Sequence, residues 1–140
     1  MREFFALRIH RENGQIKPQV QKLTLDDLTE GSVVIRVHYS SVNYKDALAG
    51  SGKGKILRRY PLNAGIDAAG EVVTSQDSRF RSGDQVLVTG CGIGEVDDGG
   101  YSEVLRVKGE SVIPLPKGLS LKESMILGTA GFTAALALHR

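Results

Sequence analysis

The 140-residue chain carries 18 basic and 16 acidic residues, a formal charge of +2 that is interspersed rather than blocked, so nothing in it points to a nucleic-acid partner. Cys91 is the single cysteine, which excludes an internal disulfide and a multi-cysteine zinc site and fits a reducing compartment, with the cytoplasm as the default. The length is that of one domain with one core, and neither a signal-peptide core after the charges Arg2, Glu3, Arg8 and His10 nor a membrane-length apolar run occurs, so a soluble protein with no membrane partner is expected.

Taken in order, Phe4 to Ile9 is apolar and ends at the turn Glu12-Asn13-Gly14, and Gln19 to Leu25 alternates imperfectly; together they read as an opening hairpin. After the turn Thr29-Glu30-Gly31, Val33 to Tyr39 alternates as a half-buried strand with His38 facing out. Ser40-Ser41-Val42-Asn43 offers N-cap residues for a short helix, Tyr44 to Ala49, closed by Gly50. Asn43, Tyr44, Lys45 and Asp46 set an amide, a phenol, an ammonium and a carboxylate within one helical turn. That density suits the orientation of a polar ligand, and it equally suits helix capping beside a solvated surface.

Gly50 to Tyr60 reads as a mobile basic loop whose Lys53, Lys55, Arg58 and Arg59 are expected either to favour a phosphate-bearing substrate such as an acyl-CoA or simply to be solvated; its spacing is not that of a P-loop. Asn63 to Gly70, NAGIDAAG, is a small-residue run with Asp67 as its one charged group, and it leads into the strand Glu71 to Thr74. Such a run lets backbones approach closely at a bend in the mouth of a barrel. Gly83-Asp84 precedes the strand Gln85 to Thr89, and Gly99-Gly100-Tyr101 precedes Ser102 to Val107, a rhythm of short strands and glycine turns expected of a closed or nearly closed antiparallel sheet. Gly90, Gly92 and Gly94 around Cys91 come too close together for a dinucleotide fingerprint, and acidic residues follow instead of an apolar helix, so this stretch is a loop.

Ser111 to Leu115 is a last strand bounded by Pro114 and Pro116. Ser120 with Glu123 forms a capping box before Met125-Ile126-Leu127, and Gly128-Thr129-Ala130-Gly131 leads to a second helical stretch, Phe132 to Leu138. No cap follows His139-Arg140, so the chain is expected to stop inside a helix, as a fragment does.

The motifs SSVNYKDALAG, YPLNAGIDAAGEV, GDQVLVTG, DGGYSEV and LSLKESMILGTAGFTAALALHR together resemble the N-terminal, GroES-like domain of zinc-independent medium-chain dehydrogenase/reductases, in the quinone oxidoreductase and acrylyl-CoA reductase branch. The resemblance implies a mainly β fold, a partly closed antiparallel barrel over residues 1–118, and an inter-domain helical segment at 119–140 that leads into a Rossmann domain absent from this chain. It implies NADPH as cofactor, no zinc, a quinone or enoyl-CoA substrate, a homodimer as an open possibility, and an inactive fragment. Zinc members of the superfamily place a cysteine in the region of Asn43 and a His-Glu pair where this chain has Ile66-Asp67, so the ligands are absent here.

Carried over residue by residue, the resemblance puts Asn43 and Tyr44 beside nicotinamide and substrate, Asp67 in the same cleft, and Thr129 and Thr133 on the inter-domain helix at the cofactor side; Arg59 is expected to bind substrate through the charge of its loop. Reduction of an α,β-unsaturated carbonyl needs hydride at the β-carbon, a hydrogen-bond donor to the enolate oxygen and a proton at the α-carbon. Tyr44 is the expected donor, and Asn43 would orient the nicotinamide amide or the substrate carbonyl. Asp67 is open between tuning Tyr44, holding Lys45 and satisfying nearby backbone N–H groups. Two other classes stand beside this one: a stand-alone binding or dimerisation module, and a co-chaperonin-like ring protein. The charged loop and the NYKD and GTAGFTA motifs fit the ring protein poorly.

Overall fold

Residues 3–139 are described in a computed structural model; Arg2 and Arg140, which figure above in the terminal charges and the last helix, lie outside the described residues. Phe4–Glu12 (β1) and Gln15–Leu23 (β2) pair without a break from Phe4 with Leu23 to Glu12 with Gln15. The hairpin is longer than the apolar runs suggested because Asn13 and Gly14 both have positive φ, 51° and 79°, which matches the right-handed twist of the strands and carries the ladder to the tip. Val33–Tyr39 (β3) has the expected bounds, and His38 is exposed, with Nε2 3.8 Å from a Glu71 carboxylate oxygen. Tyr44–Ser51 (α1) ends at Gly52 with φ 70°, one half-turn beyond the expected Gly50, because Gly52 is the residue that takes the left-handed conformation.

Leu62–Asn63 (β4) is followed by Asp67–Ser75 (β5), Gln85–Thr89 (β6), Val104–Val107 (β7) and Ile113–Pro114 (β8). The small-residue run holds both the expected bend, at residues 64–66 with Gly65 at φ 97°, and the start of a strand, since Asp67 through Glu71 pair in register with Thr89 through Gln85. Its small size serves close approach within the sheet: a Cβ added to Gly70 would lie 1.9 Å from the Arg36 carbonyl oxygen of β3. Two expected strands are shorter. Ser102 turns its hydroxyl onto Val104, donating to its carbonyl at 2.7 Å, so β7 begins only at Val104, and Gly109–Ser111 is a 3₁₀ turn that leaves β8 two residues.

The strands form a three-stranded sheet, β2-β1-β4, and a five-stranded sheet, β7-β3-β5-β6-β8. The two join where Leu7 N–H donates to the Tyr101 carbonyl at 2.8 Å and Glu103 N–H to that of Phe5 at 3.0 Å. β2 and β8 remain edges, each containing a proline, so the barrel is partly closed and full closure is not formed. The main core lies on the larger sheet, with Val33, Ile35, Val72, Phe80, Val86, Val88 and Leu105 buried together. Leu121–Leu138 (α2) opens with the expected capping box, Glu123 N–H donating to Ser120 Oγ at 3.2 Å and Ser120 N–H to Glu123 Oε2 at 2.8 Å. It packs Leu121 and Met125 onto Ala69 of β5, and then breaks at Gly128. No described helix is long and apolar enough to cross a membrane.

Arg8, one of the terminal charges, is buried. Its guanidinium lies 3.5 Å from Oδ1 of the fully buried Asp98 and donates to Asn63 Oδ1 and the Asp27 carbonyl, each at 3.1 Å. Asp98 also accepts the backbone N–H of Asn63 at 2.7 Å and of Thr29 at 2.8 Å, which ties β1, β4 and the turn before β3 together. Removing the carboxylate in Asp98→Ala leaves a buried cation and two buried N–H groups without it, and is expected to destabilise the fold by about 3–5 kcal/mol. Urea unfolding measures this, with Glu12→Ala, which deletes an exposed pair with Lys17, leaving the midpoint unmoved.

Candidate functional site

Four segments meet where β3 ends and β5 begins: the Ser40–Asn43 link, the N-terminus of α1, Asp67, and the break in α2. Asp67 is fully buried although no cation pairs with it among the described residues. Its Oδ1 accepts from Thr129 Oγ1 at 2.6 Å, and its Oδ2 accepts from Asn43 Nδ2 at 2.9 Å and from Thr129 N–H at 3.1 Å. The backbone donor is the first N–H of the helical segment that restarts after Gly128, an end of the helix with unpaired donors and a positive dipole, so the carboxylate is held by dipoles rather than by a counter-charge.

Gly128 makes that restart possible. Its φ of 50° and ψ of −158° lie outside the helix, and a Cβ there would stand 2.6 Å from Ser41 Oγ and 2.9 Å from Asp67 Oδ2. Ser41 Oγ donates to the carbonyl of Met125 at 2.6 Å, satisfying an acceptor that the break exposes.

Asp46, also buried, is the second carboxylate of the cluster. Its Oδ1 accepts Ile66 N–H at 3.0 Å, and its Oδ2 accepts Asn43 N–H at 2.9 Å, Asn43 Nδ2 at 3.2 Å and the Tyr101 hydroxyl at 3.2 Å. Asn43 Nδ2 thus faces both carboxylates. The opposite orientation of the amide would set its oxygen against two anions, so the amide direction is fixed by electrostatics: both N–H groups are committed, and the side chain has only an acceptor oxygen to offer a ligand.

Tyr101 shares its phenolic proton between Asp46 and the Ser41 carbonyl, the latter at 2.9 Å. Burial, then the charge and hydrogen bond of Asp46, then the charge of Asp67, push this phenol well above its ordinary range, so it stays neutral.

The cluster gathers Asn43, Asp67 and Thr129, three of the residues expected at the site. Thr133 extends the line by donating to the Thr129 carbonyl at 2.8 Å and is exposed. Tyr44 is 80% exposed at the rim of this cluster, and its hydroxyl makes no hydrogen bond among the described residues. Asp67 neither contacts Tyr44 nor holds Lys45, whose ammonium pairs with Glu95; of the three roles left open, Asp67 takes a variant of the third, satisfying one backbone N–H and two side chains. Arg59 is exposed on the loop after α1. Asp46 belongs to the polar group expected at the start of α1, whereas Tyr101 and Ser41 join the site with no such expectation. The signal that could have found Tyr101 is the pair of glycines before it: Gly99 and Gly100 lie against the Ala64–Asp67 backbone, where Gly100 N–H donates to the Gly65 carbonyl at 2.8 Å, so the two glycine-rich motifs are docking partners. Among the described residues no group of three His, Cys, Asp or Glu gathers as a metal site would.

Residues 29–117 match the profile of the alcohol dehydrogenase GroES-like domain. YhfP of Bacillus subtilis, which carries a quinone oxidoreductase name, is 50% identical over 137 residues, covering 98% of this chain and 42% of that protein. Its structure with NAD bound superposes with a TM-score of 0.96 at 48% identity, over 100% of this chain and 43% of that one. The acrylyl-CoA reductase AcuI of Ruegeria pomeroyi is 46% identical over 127 residues, 91% of this chain and 38% of that protein. The YhdH oxidoreductase of Salmonella enterica, solved in complex with NADP, gives a TM-score of 0.94 at 50% identity, over 96% of this chain and 42% of that one. This chain thus spans about two fifths of the length of the relatives it matches.

Because the phenol of Tyr101 is held neutral in the fold, its contribution to stability is full below the ordinary phenol range near pH 10 and is lost as pH rises above it. A phenolate absorbance titration of native chain against Tyr101→Phe is expected to give superimposable curves up to pH ~11. A difference at ordinary phenol pH would show Tyr101 solvated and the cluster open.

Proposed function

This chain belongs to the alcohol dehydrogenase GroES-like domain family, and on that premise we propose that it is the substrate-side domain of an NADPH-dependent, zinc-independent oxidoreductase that reduces a quinone or an α,β-unsaturated carbonyl or acyl-CoA substrate by hydride transfer. Residues 1–118 form the domain and 119–140 the helical segment toward a nucleotide-binding part, without which the chain is inactive. The names and bound dinucleotides of the relatives support this reading, as does the exposed apolar side of α2, where Ile126, Leu127, Phe132 and Leu136 are each more than half exposed and call for a covering surface.

The observation that carries the site assignment is the division of hydrogen-bonding roles. Asn43 has both amide hydrogens on carboxylates, and Thr129 has its hydroxyl hydrogen on Asp67, so both present acceptors only. Acceptors fit the N–H donors of a nicotinamide carboxamide, and they cannot stabilise an enolate oxygen. Asn43 is accordingly assigned to the cofactor rather than to the substrate carbonyl. When bound, NADPH supplies the hydride. The donor to the developing oxyanion falls to Tyr44, whose hydroxyl has no other partner. Asp67 and Asp46 act as positioning residues that fix the direction of the Asn43 amide.

The zinc-independent assignment rests on donor chemistry: Asp67 and Asp46 accept from neutral donors on both oxygens, and neither has a histidine or cysteine ligand within the cluster. The alternative, a stand-alone binding or dimerisation module, predicts ligand affinity in this chain by itself; the reductase reading expects calorimetry to show no binding of NADPH to the chain alone.

In the full-length reductase, Tyr44→Phe is expected to lower kcat about 10²- to 10³-fold while changing KM little, because a donor to a developing oxyanion acts in the transition state. Asn43→Ala is expected to raise KM for NADPH instead. Wild-type kcat in Tyr44→Phe would remove the phenol from the chemistry. Elemental analysis of protein purified without chelator is expected to find no stoichiometric zinc.

A further inference from the structure

We propose that a second site, the cleft between the β1–β2 turn and the loop after α1, holds the phosphate-bearing nucleotide end of a coenzyme A thioester; the inference rests on the substrate-side reading above and selects the acyl-CoA class within it. The cleft has a volume of about 430 Å³ and is lined by Arg11, Lys55 and Arg58 with Ile16, Leu57 and Tyr60. Arg11 comes from β1, and Lys55 and Arg58 come from the loop, so separate elements bring three cations to one concavity. No carboxylate among the described residues lies within ion-pair distance of any of them. The neighbouring acids are engaged elsewhere, Glu12 by Lys17 at 2.6 Å and Glu95 by Lys45. The positive charge is therefore uncompensated, which is the condition for capturing a phosphate through charge-assisted hydrogen bonds.

The cleft is also built rather than merely loose. Leu57 is buried, Arg58 N–H donates to the Glu95 carbonyl at 2.8 Å, and a Cβ added to Gly52 would meet Ile16 at 2.5 Å, so the hairpin lies directly against the end of α1. The loop is thus anchored at its middle, in contrast with the mobile loop its glycines suggested. The Tyr60 ring, with the Arg11 guanidinium 6.0 Å from its centre, and the Ile16 and Leu57 side chains offer an apolar and aromatic wall for a nucleoside. Lys53 and Arg59 do not line the cleft, although they are exposed as Arg11, Lys55 and Arg58 are. Capping of the α1 carbonyls accounts for a cation at Lys55 at most, and not for Arg11 on another element. The eight residues of α1 separate the cleft from Tyr44 by about 12 Å, a span that an extended pantetheine arm covers.

Calorimetry of this chain with coenzyme A, dephospho-coenzyme A and pantetheine, at low salt and at about 0.15 M salt, tests the site. Coenzyme A is expected to bind, dephospho-coenzyme A about tenfold more weakly and pantetheine not measurably, with affinity falling as salt rises. The double substitution Lys55→Ala, Arg58→Ala is expected to weaken coenzyme A at least about tenfold, and Lys53→Ala to leave it unchanged. Absence of binding at low salt, equal affinity for coenzyme A and pantetheine, or an unaffected double variant would each overturn the site. Quinone reduction by the full-length enzyme separates the two readings: activity without coenzyme A binding removes the cleft and keeps the reductase, whereas binding without any reductase activity keeps the cleft and removes the reductase.

Discussion

The structure of this end of the molecule depends on one buried negative charge, the carboxylate of Asp67, which has no cation beside it. An isolated carboxylate in an apolar interior is costly, and it is tolerated only where several oriented donors replace its lost hydration. Here they are the Asn43 amide from the start of α1 and the hydroxyl and backbone N–H of Thr129 from the restart of α2. The donors come from two elements other than the strand that carries the charge, so satisfying it also fixes the relative position of β5, α1 and α2.

From this follows a chain of hydrogen-bond commitments that runs from Asp67 to the break in α2. Asp67 and Asp46 together take both amide hydrogens of Asn43; Asp46 takes part of the Tyr101 proton as well; Tyr101 returns the rest to the Ser41 carbonyl, and Ser41 donates to the helix carbonyl exposed at Gly128. A network with every member satisfied is rigid, and its rigidity leaves definite groups on the outside. Those groups are acceptors on Asn43 and Thr129 and a donor on Tyr44. On the proposed reading, the acceptors go to the cofactor amide and the oxyanion is left to Tyr44.

Much of the fold could be read from the sequence. β3, β6 and the Ser120–Glu123 box lay where alternation and capping chemistry placed them, because those signals are local. What failed was set by distant partners. The strand character of Asp67 to Gly70 depends on pairing with β6, and the choice of Gly52 over Gly50 depends on packing against Ile16. The candidate site divides in the same way. Asn43, Asp67 and Thr129 were legible through motifs, whereas their mutual contact was not, and Tyr101, 55 residues beyond Asp46, carries no local mark of its partner. Arg8 and Asp98 show the limit most plainly, since a charge near the N-terminus reads as solvated until its partner 90 residues away is in place.

The break at Gly128 gives the cluster a mechanical role as well. α2 is anchored before the break by Leu121 and Met125 on Ala69, and after it by Thr129 on Asp67, while its later residues carry the exposed apolar side. Any surface that docks on that side is rigidly joined, through the first turn after Gly128, to the carboxylate that aims the Asn43 amide. A displacement of the helix by even a fraction of an ångström would lengthen hydrogen bonds of 2.6 Å and 3.1 Å and loosen that amide. On the proposed reading, docking of a second domain and alignment of the Asn43 acceptor are coupled through the side chain of Asp67, and glycine at position 128 is what lets the helix bend close enough to reach it.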